Sequence, residues 1–155
     1  MFRRLDEVDI SILDNLQQNG RMTNIELAHR AGISAPPCLR RLKNLENRGV
    51  IRGYHADLDG SAMGYNFVAL CFVALENHST KCVEQFLSHV RSLSNIRECA
   101  STTGNFDYVL KIIVRDLTDY EDFIDSKLKN FENIHQIKTY VIMQYNKLEN
   151  GIPLL

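Results

Sequence analysis

The chain has 155 residues, 45% of them hydrophobic and 24% charged, and its net charge at pH 7 is −1. This balance is typical of a folded protein with one domain or two small ones, and it excludes a low-complexity chain. The most apolar run, Phe67 to Leu75, is far shorter than the ~20 residues that cross a bilayer, and the first residues lack the apolar core of a secretory signal. Together with four widely spaced cysteines, this predicts a cytoplasmic protein without a membrane partner.

The first third of the sequence predicts three short helices. Apolar residues recur at helical spacing in the first of them, namely Val8, Ile12, Leu13 and Leu16. Asp6 is its expected N-cap, and Gly20 is its expected stop. In the second helix, Thr23 and Glu26 have the spacing of a capping box, and Gly32 ends the helix.

A pair of prolines marks the start of the third helix. We expect Ser34 to cap it and Ala35, Pro36 and Pro37 to form its first turn, where an amide has no intrahelical acceptor and proline therefore loses nothing. The buried stripe follows at positions i, i+4 and i+7, which are Cys38, Leu42 and Leu45. Gly49 ends the helix, and residues 50–58 then predict a short strand or ribbon.

Positive charge is concentrated on this third helix. Between Cys38 and Arg52 the chain has five basic residues and one acid, Glu46, although the whole chain is nearly neutral. A short capped helix, a turn with glycine and a second, basic helix are typical of a DNA-binding helix-turn-helix. The basic helix would enter the major groove of double-stranded DNA, and the predicted contacts are Ser34, Ala35, Pro36, Arg40, Arg41, Lys43, Asn44 and Arg48. The alternative is a solvated charged face on a three-helix subdomain.

The last two thirds predict the order βαββαβ, which is the ferredoxin-like arrangement. The strand segments are rich in β-branched and aromatic residues and read FVALCFVAL, NIRECAST, YVLKIIV and IHQIKTYVIMQY. A hairpin turn is expected around Gly104, and Thr118 to Glu121 have the spacing of a capping box for the second helix. The fold class is therefore α+β. A helix-turn-helix (winged-helix-like) domain is expected at 1–52, a strand and linker at 53–65, and the βαββαβ domain at 66–155.

Such a sheet carries both helices on one face and leaves its other face open. Apolar residues on the open face are most simply covered by the same sheet of a second subunit, so a homodimer is expected. Two-fold symmetry also suits a DNA reader, because paired recognition helices can bind half-sites about one helical turn apart.

Four segments resemble the leucine-responsive regulatory protein/AsnC ("feast/famine") family of transcription regulators over nearly the full chain. The segment LDEVDISILDNLQQNGRMTNIELAHRAGIS resembles the first two helices of that family. CLRRLKNLENRGVIRGYHADLD is similar to its recognition helix and the strand that follows. GNFDYVLKIIV and TYVIM are similar to the hairpin and the last strand of its amino-acid-sensing domain.

The resemblance implies a sequence-specific regulator whose dimers assemble into tetramers or octamers. It also implies a small effector, typically an amino acid, bound at contacts between dimers. The residues that match the family's effector site are Thr103, Gly104, Asn105, Asp107, Leu117, Tyr140, Val141 and Ile142. Amides near Gly104 would hold the carboxylate of the effector, and Asp107 its ammonium group. The protein would lie on the nucleoid, in the cytoplasm.

Two other functions stay open. Siroheme decarboxylase subunits resemble the same two-part architecture, but the five histidines are scattered along the chain, and His78 with Cys82 supplies only two potential zinc ligands. A tetrapyrrole enzyme also has no need of a basic recognition helix. The second alternative is an architectural protein that wraps DNA with little sequence preference. We expect no catalytic residue, metal ion or cofactor.

Overall fold

The computed structural model describes residues 5–149 and 151–154. The chain divides into two compact units. The first runs to Asp57 and also includes the described residues from Lys147 on, and the second spans Leu58–Asn146. The sequence predicts one domain over 66–155, but the end of the chain belongs to the first unit, because Leu154 packs against the core of that unit.

Three helices form the first unit, α1 at Glu7–Gln18, α2 at Asn24–Arg30 and α3 at Ala35–Asn47. Their core consists of buried side chains from all three, namely Ile12, Leu13, Leu27, Ala28, Cys38 and Leu45. The predicted caps of the first two helices are confirmed. The Asp6 carboxylate accepts a hydrogen bond from the Asp9 amide at 2.9 Å, and Thr23 and Glu26 form a reciprocal capping box.

The third helix begins as predicted, but its cap differs. Ser34 has the extended backbone of an N-cap residue, yet its hydroxyl makes no capping hydrogen bond. The reason lies in the two residues that normally donate to such a cap. In α3 these positions hold Pro36 and Pro37, and proline has no N–H to donate.

Residues 50–58, predicted as a strand or ribbon, form no regular element. A strand requires a hydrogen-bonded neighbour, and the strand pairs of the described residues do not include this segment. It is held instead by Tyr54, whose hydroxyl donates to Glu46 Oε1 at 2.9 Å. Burial and the Glu46 carboxylate raise the pKa of Tyr54 to about 12.

The second unit confirms the predicted βαββαβ order. After a short 3₁₀ turn at Ser61–Met63, its elements are β1 (Phe67–Leu75), α4 (Thr80–Ser92), β2 (Ile96–Ser101), β3 (Tyr108–Val114), α5 (Leu117–Phe123, continued as a π-helical turn over Ile124–Leu128) and β4 (Ile134–Val141). The strands form one sheet in the order β2-β3-β1-β4. All neighbouring strands are antiparallel.

The two faces of this sheet differ in burial. Alternate residues of β1 and β3, such as Cys71 and Ile112, are fully buried under Phe86 of α4 and Leu128 after α5. The residues between them point to the other face and are only half-buried, namely Val68, Leu70, Phe72, Ala74, Val109, Lys111 and Ile113. The second unit thus presents a largely apolar open face, as the sequence predicts.

Two element ends differ from the prediction. Asp116 caps α5 by accepting from the Asp119 amide at 2.9 Å, so Thr118 lies inside the first turn and does not cap it. An aspartate is the stronger N-cap, and it comes two residues earlier. β4 ends at Val141, four residues before the predicted end. In the described part of the chain, no helix is long and apolar enough to cross a membrane.

Candidate functional site

The outer face of α3 is defined by helical spacing. Pro36, Arg40, Lys43 and Asn47 stand at i, i+4, i+7 and i+11, and all four are exposed. At 3.6 residues per turn they lie opposite the buried stripe of Cys38 and Leu45. Asn47 is absent from the predicted DNA contacts, although its spacing from Lys43 could have indicated it. We call these four residues the outer face of α3.

Arg41 is held within the first unit. Its Nη1 lies 2.8 Å from Asp6 Oδ2 and 2.7 Å from Asp9 Oδ1, so it ties α3 to the start of α1. The Asp9 amide and the Arg41 guanidinium lower the pKa of the Asp6 carboxyl, and the two carboxylates raise the pKa of Arg41. Asp9 itself is buried, and the partly exposed Arg41 side chain supplies its opposite charge. The sequence predicts Arg41 as a DNA contact like Arg40 and Lys43. Unlike them, it forms ion pairs with Asp6 and Asp9.

The other predicted DNA contacts flank the outer face. Ser34 and Asn44 are exposed, whereas Ala35 and Arg48 are half-buried. Arg48 lies against Asn44, with 3.5 Å between Nη1 and Oδ1. The structure therefore brings together the start of α3 and its basic outer side.

Asn24 connects the two helices of the motif, and sequence reasoning missed it. Its Nδ2 donates to the carbonyl oxygen of Ala35 at 2.9 Å and so fixes the first turn of α3 against the first turn of α2. The Oδ1 atom of Asn24 is buried and has no hydrogen-bond partner among the described residues. No periodicity or motif in the sequence marks this contact, because its donor and acceptor are 11 positions apart.

The predicted effector residues Thr103, Gly104 and Asn105 form the turn between β2 and β3. Gly104 has φ +111°, a backbone conformation that favours glycine, so the turn requires it. The neck of the turn is closed by the Thr102 amide, which donates to the carbonyl oxygen of Asp107 at 2.8 Å. An open depression of about 510 Å³ lies beside the turn and is lined by Phe72, Ser101, Thr102, Thr103, Asn105 and Phe106.

The carboxylate of Asp107 points away from this turn. One oxygen accepts from the Leu75 amide at 2.7 Å, and the other lies 2.9 Å from Nε2 of His78. The Leu75 amide, and after it the His78 ring, lowers the pKa of Asp107. Both oxygens thus have partners in the protein, and they fix the loop between β1 and α4 to the start of β3.

The remaining predicted effector residues lie towards the other end of the sheet. The turn adjoins the Val73–Tyr108 pair, whereas Val141 pairs with Ala69 and Leu117 follows the far end of β3. At ~3.3 Å per residue along β1, the two groups are on the order of 15 Å apart. Tyr140 stands between them, because its ring packs at 5.6 Å against Phe72, which in turn packs at 5.9 Å against Phe106.

The eight predicted effector residues therefore do not line one pocket in a single chain. Ile142, the last of them, donates its amide to the carbonyl oxygen of Val68 at the Val141 end of the sheet. Within the described residues, no three His, Cys, Asp or Glu side chains gather as a metal site would require. The second unit has a glycine turn at one end of the sheet and the exposed apolar residues Leu117 and Val141 at the other.

Comparison with known proteins yields two family matches. Residues 5–52 match the family model of the winged helix-turn-helix DNA-binding domain. Residues 68–152 match that of the Lrp/AsnC ligand binding domain. The first match contains α1 to α3, and the second contains the sheet except for Phe67, the first residue of β1.

Named relatives cover almost the whole chain. The leucine-responsive regulatory protein of Rhizobium meliloti (strain 1021) is 42% identical over 143 residues, which are 92% of this chain and 92% of the relative. The protein of the same name from Escherichia coli (strain K12) is 36% identical over 150 residues, which are 97% of this chain and 92% of the relative.

Solved structures agree with the sequence relatives. A Neisseria meningitidis transcriptional regulator in complex with L-Met is 32% identical and superposes with a TM-score of 0.94 over 97% of both chains. An AsnC family transcriptional regulator from Agrobacterium tumefaciens is 27% identical, with a TM-score of 0.92 over 97% of both chains. The chain described here therefore belongs to the Lrp/AsnC family of transcription regulators, with a DNA-binding helix-turn-helix followed by a ligand-binding domain.

Proposed function

We propose that this regulator binds specific DNA sites through the outer face of α3, and that a small amino acid changes this binding. The observation that carries the proposal is the contrast between basic residues on one helix. Arg41 is occupied by Asp6 and Asp9, whereas Arg40 and Lys43 have no ion-pair partner among the described residues. Exposed, unpaired cations on the outer side of a helix are suited to contact a phosphate backbone and base edges.

In this proposal the predicted DNA contacts have different roles. The first turn of α3, with Ser34, Ala35 and Pro36, approaches the base edges. Arg40 and Lys43 meet phosphates or guanines, and Asn44 and Arg48 contact the DNA from one flank of the helix. We add Asn47 to the contacts and assign Arg41 a positioning role, since its guanidinium orients α3 on α1.

The assembly that we propose is a homodimer that joins further copies into tetramers or octamers. The half-buried apolar residues on the open face of the sheet support it, because a second sheet would remove them from water. A dimer also presents two α3 helices, which matches DNA with two half-sites.

The effector site that we propose lies where subunits meet. The glycine turn and the Leu117–Val141 group are at different sheet ends in one chain, so a compact pocket needs residues from a second copy. Amides around Gly104 would bind the carboxylate of an amino acid. Because both oxygens of Asp107 already have partners, we assign it to shaping the turn instead of binding the ammonium group. The L-Met complex of the Neisseria regulator supports this class of effector.

The alternative functions have less support. The relatives bear the names of regulatory proteins, which favours regulation over catalysis. An architectural protein would use the same basic helix, so only its sequence preference distinguishes it. A specific regulator prefers its site over random DNA by about 4–10 kcal/mol. Double-stranded DNA as the partner would place the protein on the nucleoid in the cytoplasm.

A nuclease footprint on the DNA upstream of the protein's own gene tests the proposal. We expect protected segments repeating at about one helical turn of 10–10.5 base pairs, and a changed pattern when L-methionine and L-leucine are added together. Protection that these two amino acids leave unchanged would refute L-methionine and L-leucine as effectors. Equal binding to random DNA of the same length would favour the architectural function, and no protection in moderate salt would refute site-specific binding at this DNA.

A further inference from the structure

The end of the chain returns to the DNA-binding unit. After β4, the described residues from Lys147 to Leu154 belong to the first unit, and we call this segment the C-terminal tail. The chain therefore passes between the two units twice, once at Asp57–Leu58 and once at Asn146–Lys147. A second covalent connection limits how independently the units move, provided that the tail stays docked.

Gln17 on α1 holds the tail by its main chain. Its Nε2 donates to the carbonyl oxygen of Ile152 at 3.1 Å, and its Oε1 accepts from the Ile152 amide at 2.7 Å. One side-chain amide thus satisfies both main-chain polar groups of one residue, as a neighbouring strand would. The contact joins positions 135 residues apart in sequence.

Gly151, the residue before Ile152, has the backbone conformation and the small size that this contact requires. Gly151 has φ +102°, which disfavours residues with a side chain. A Cβ atom at this position would also collide with Oε1 and Cδ of Gln17. Gly151 therefore lets the tail approach the Gln17 side chain closely enough for both hydrogen bonds.

A third contact anchors the tail beyond Ile152. Leu154 packs against the hydrophobic core that α1, α2 and α3 share. Ile10 and Asp14 border the groove between α1 and the tail, about two turns and one turn of the helix before Gln17. The tail thus combines two main-chain hydrogen bonds with an apolar anchor on one side of α1.

We propose that the face of α1 around Gln17 is a docking site for the C-terminal tail of the same chain, and that the docked tail restrains the DNA-binding unit for binding to paired half-sites. This inference rests on the proposed function. When one DNA-binding unit of a dimer is bound to its half-site, the second unit binds more tightly if its connection keeps it near the other half-site. The effective concentration of the second unit is then higher. A DNA-binding unit fastened at two points samples fewer orientations than one fastened at a single point.

The test compares full-length variants. Gln17→Ala removes both hydrogen bonds, and Gly151→Ala blocks the approach from the other side. Gln85→Ala is the control, because Gln85 is the same residue type, is exposed on α4 and lies outside the groove between α1 and the tail. The first measurement is hydrogen exchange of the C-terminal peptide that contains Ile152. We expect roughly tenfold faster exchange in both test variants, as the loss of two ordinary hydrogen bonds implies, and no change in the control.

The second measurement is the Kd for two duplexes from the footprinted DNA, one with two half-sites and one with a single half-site. We expect both test variants to bind the two-site duplex about tenfold more weakly and the one-site duplex within about twofold of the parent, as loss of effective concentration predicts. If hydrogen exchange of the C-terminal peptide is unchanged in the test variants, docking of the tail is refuted. If exchange is faster but the affinity for the two-site duplex is unchanged, the proposed restraint of the DNA-binding unit is refuted. A parent protein that binds neither duplex would overturn the proposed function itself, which the exchange measurement distinguishes from a failure of docking.

Discussion

At the scale of single residues, the basic side chains of α3 are not equivalent. Neighbouring Arg40 and Arg41 differ by about 100° around the helix, and this turns one to solvent and the other towards α1. Charge in the sequence is therefore a poor guide to function until the partners are known. Asp6 lies 35 positions before Arg41, so only the packed helices reveal that one nitrogen of Arg41 contacts two carboxylates.

This difference predicts that two alanine substitutions affect different properties, DNA binding in one case and stability in the other. Lys43→Ala should weaken DNA binding and reduce the slope of log affinity against log salt by about one, because one phosphate contact is lost. Its midpoint of thermal unfolding should stay unchanged. Arg41→Ala should lower that midpoint, since it leaves the buried Asp9 without its cation. Lys81→Ala, an exposed cation at the start of α4, is the control for both measurements.

The opposite outcome would assign Arg41 to DNA binding. If Arg41→Ala unfolds at the temperature of the parent and loses the same salt slope as Lys43→Ala, then Arg41 leaves its carboxylates to contact DNA. Salt titrations of duplex binding and thermal unfolding followed by circular dichroism decide between the two roles.

At the scale of elements, capping signals are reliable where the donor amides exist and no stronger cap comes earlier. The Asp6 and Thr23 caps follow from residue type and spacing alone, and both form. Ser34 and Thr118 fit the same pattern and make no cap. In the first case prolines replace the donors, and in the second a stronger cap comes earlier. Local chemistry therefore predicts most element starts, and its failures have local reasons.

Two serine/threonine caps offer a direct comparison. Thr23→Ala should destabilise the protein by about 1 kcal/mol, the usual cost of a lost N-cap. Ser34→Ala should change stability by less than about 0.5 kcal/mol, as for an ordinary surface substitution, because Pro36 and Pro37 leave its hydroxyl no amide to cap. Urea unfolding of both variants measures the difference. Equal losses would mean that the Ser34 hydroxyl stabilises α3 by another contact.

Elements whose partners lie far away were harder to predict. Residues 50–58 have the composition of a strand, but no neighbouring strand pairs with them in the described chain. The C-terminal tail carries no periodic pattern, and its place on α1 depends on Gln17, 135 positions before Ile152. The sequence predicts effector residues on a hairpin turn, at a helix start and on the last strand, but spacing alone cannot tell that they lie at different ends of one sheet.

At the scale of the whole molecule, the open sheet face connects fold and function. It is too apolar to be left to water, and the proposed DNA sites and effector pocket both need a second subunit. Leu70 stands in the middle of this face, paired with Lys111 on one side and Tyr140 on the other. Its side chain points away from the buried core of the second unit, so a change there should spare the fold.

We therefore expect Leu70→Glu to separate the subunits. A stable interface buries about 1,200–2,000 Å². Lys111, which stands opposite the new carboxylate, already pairs with Glu98 at 2.9 Å and would offset its charge only in part. Burying this carboxylate therefore costs several kcal/mol, and the dimer dissociation constant should rise by more than about 100-fold. Sedimentation velocity at micromolar concentration should show a monomer whose circular dichroism is that of the parent. Gln85→Glu adds the same charge to the exposed side of α4 and should leave the dimer intact. If Leu70→Glu still sediments as a dimer, the subunits meet through another surface, and the effector site must be sought there.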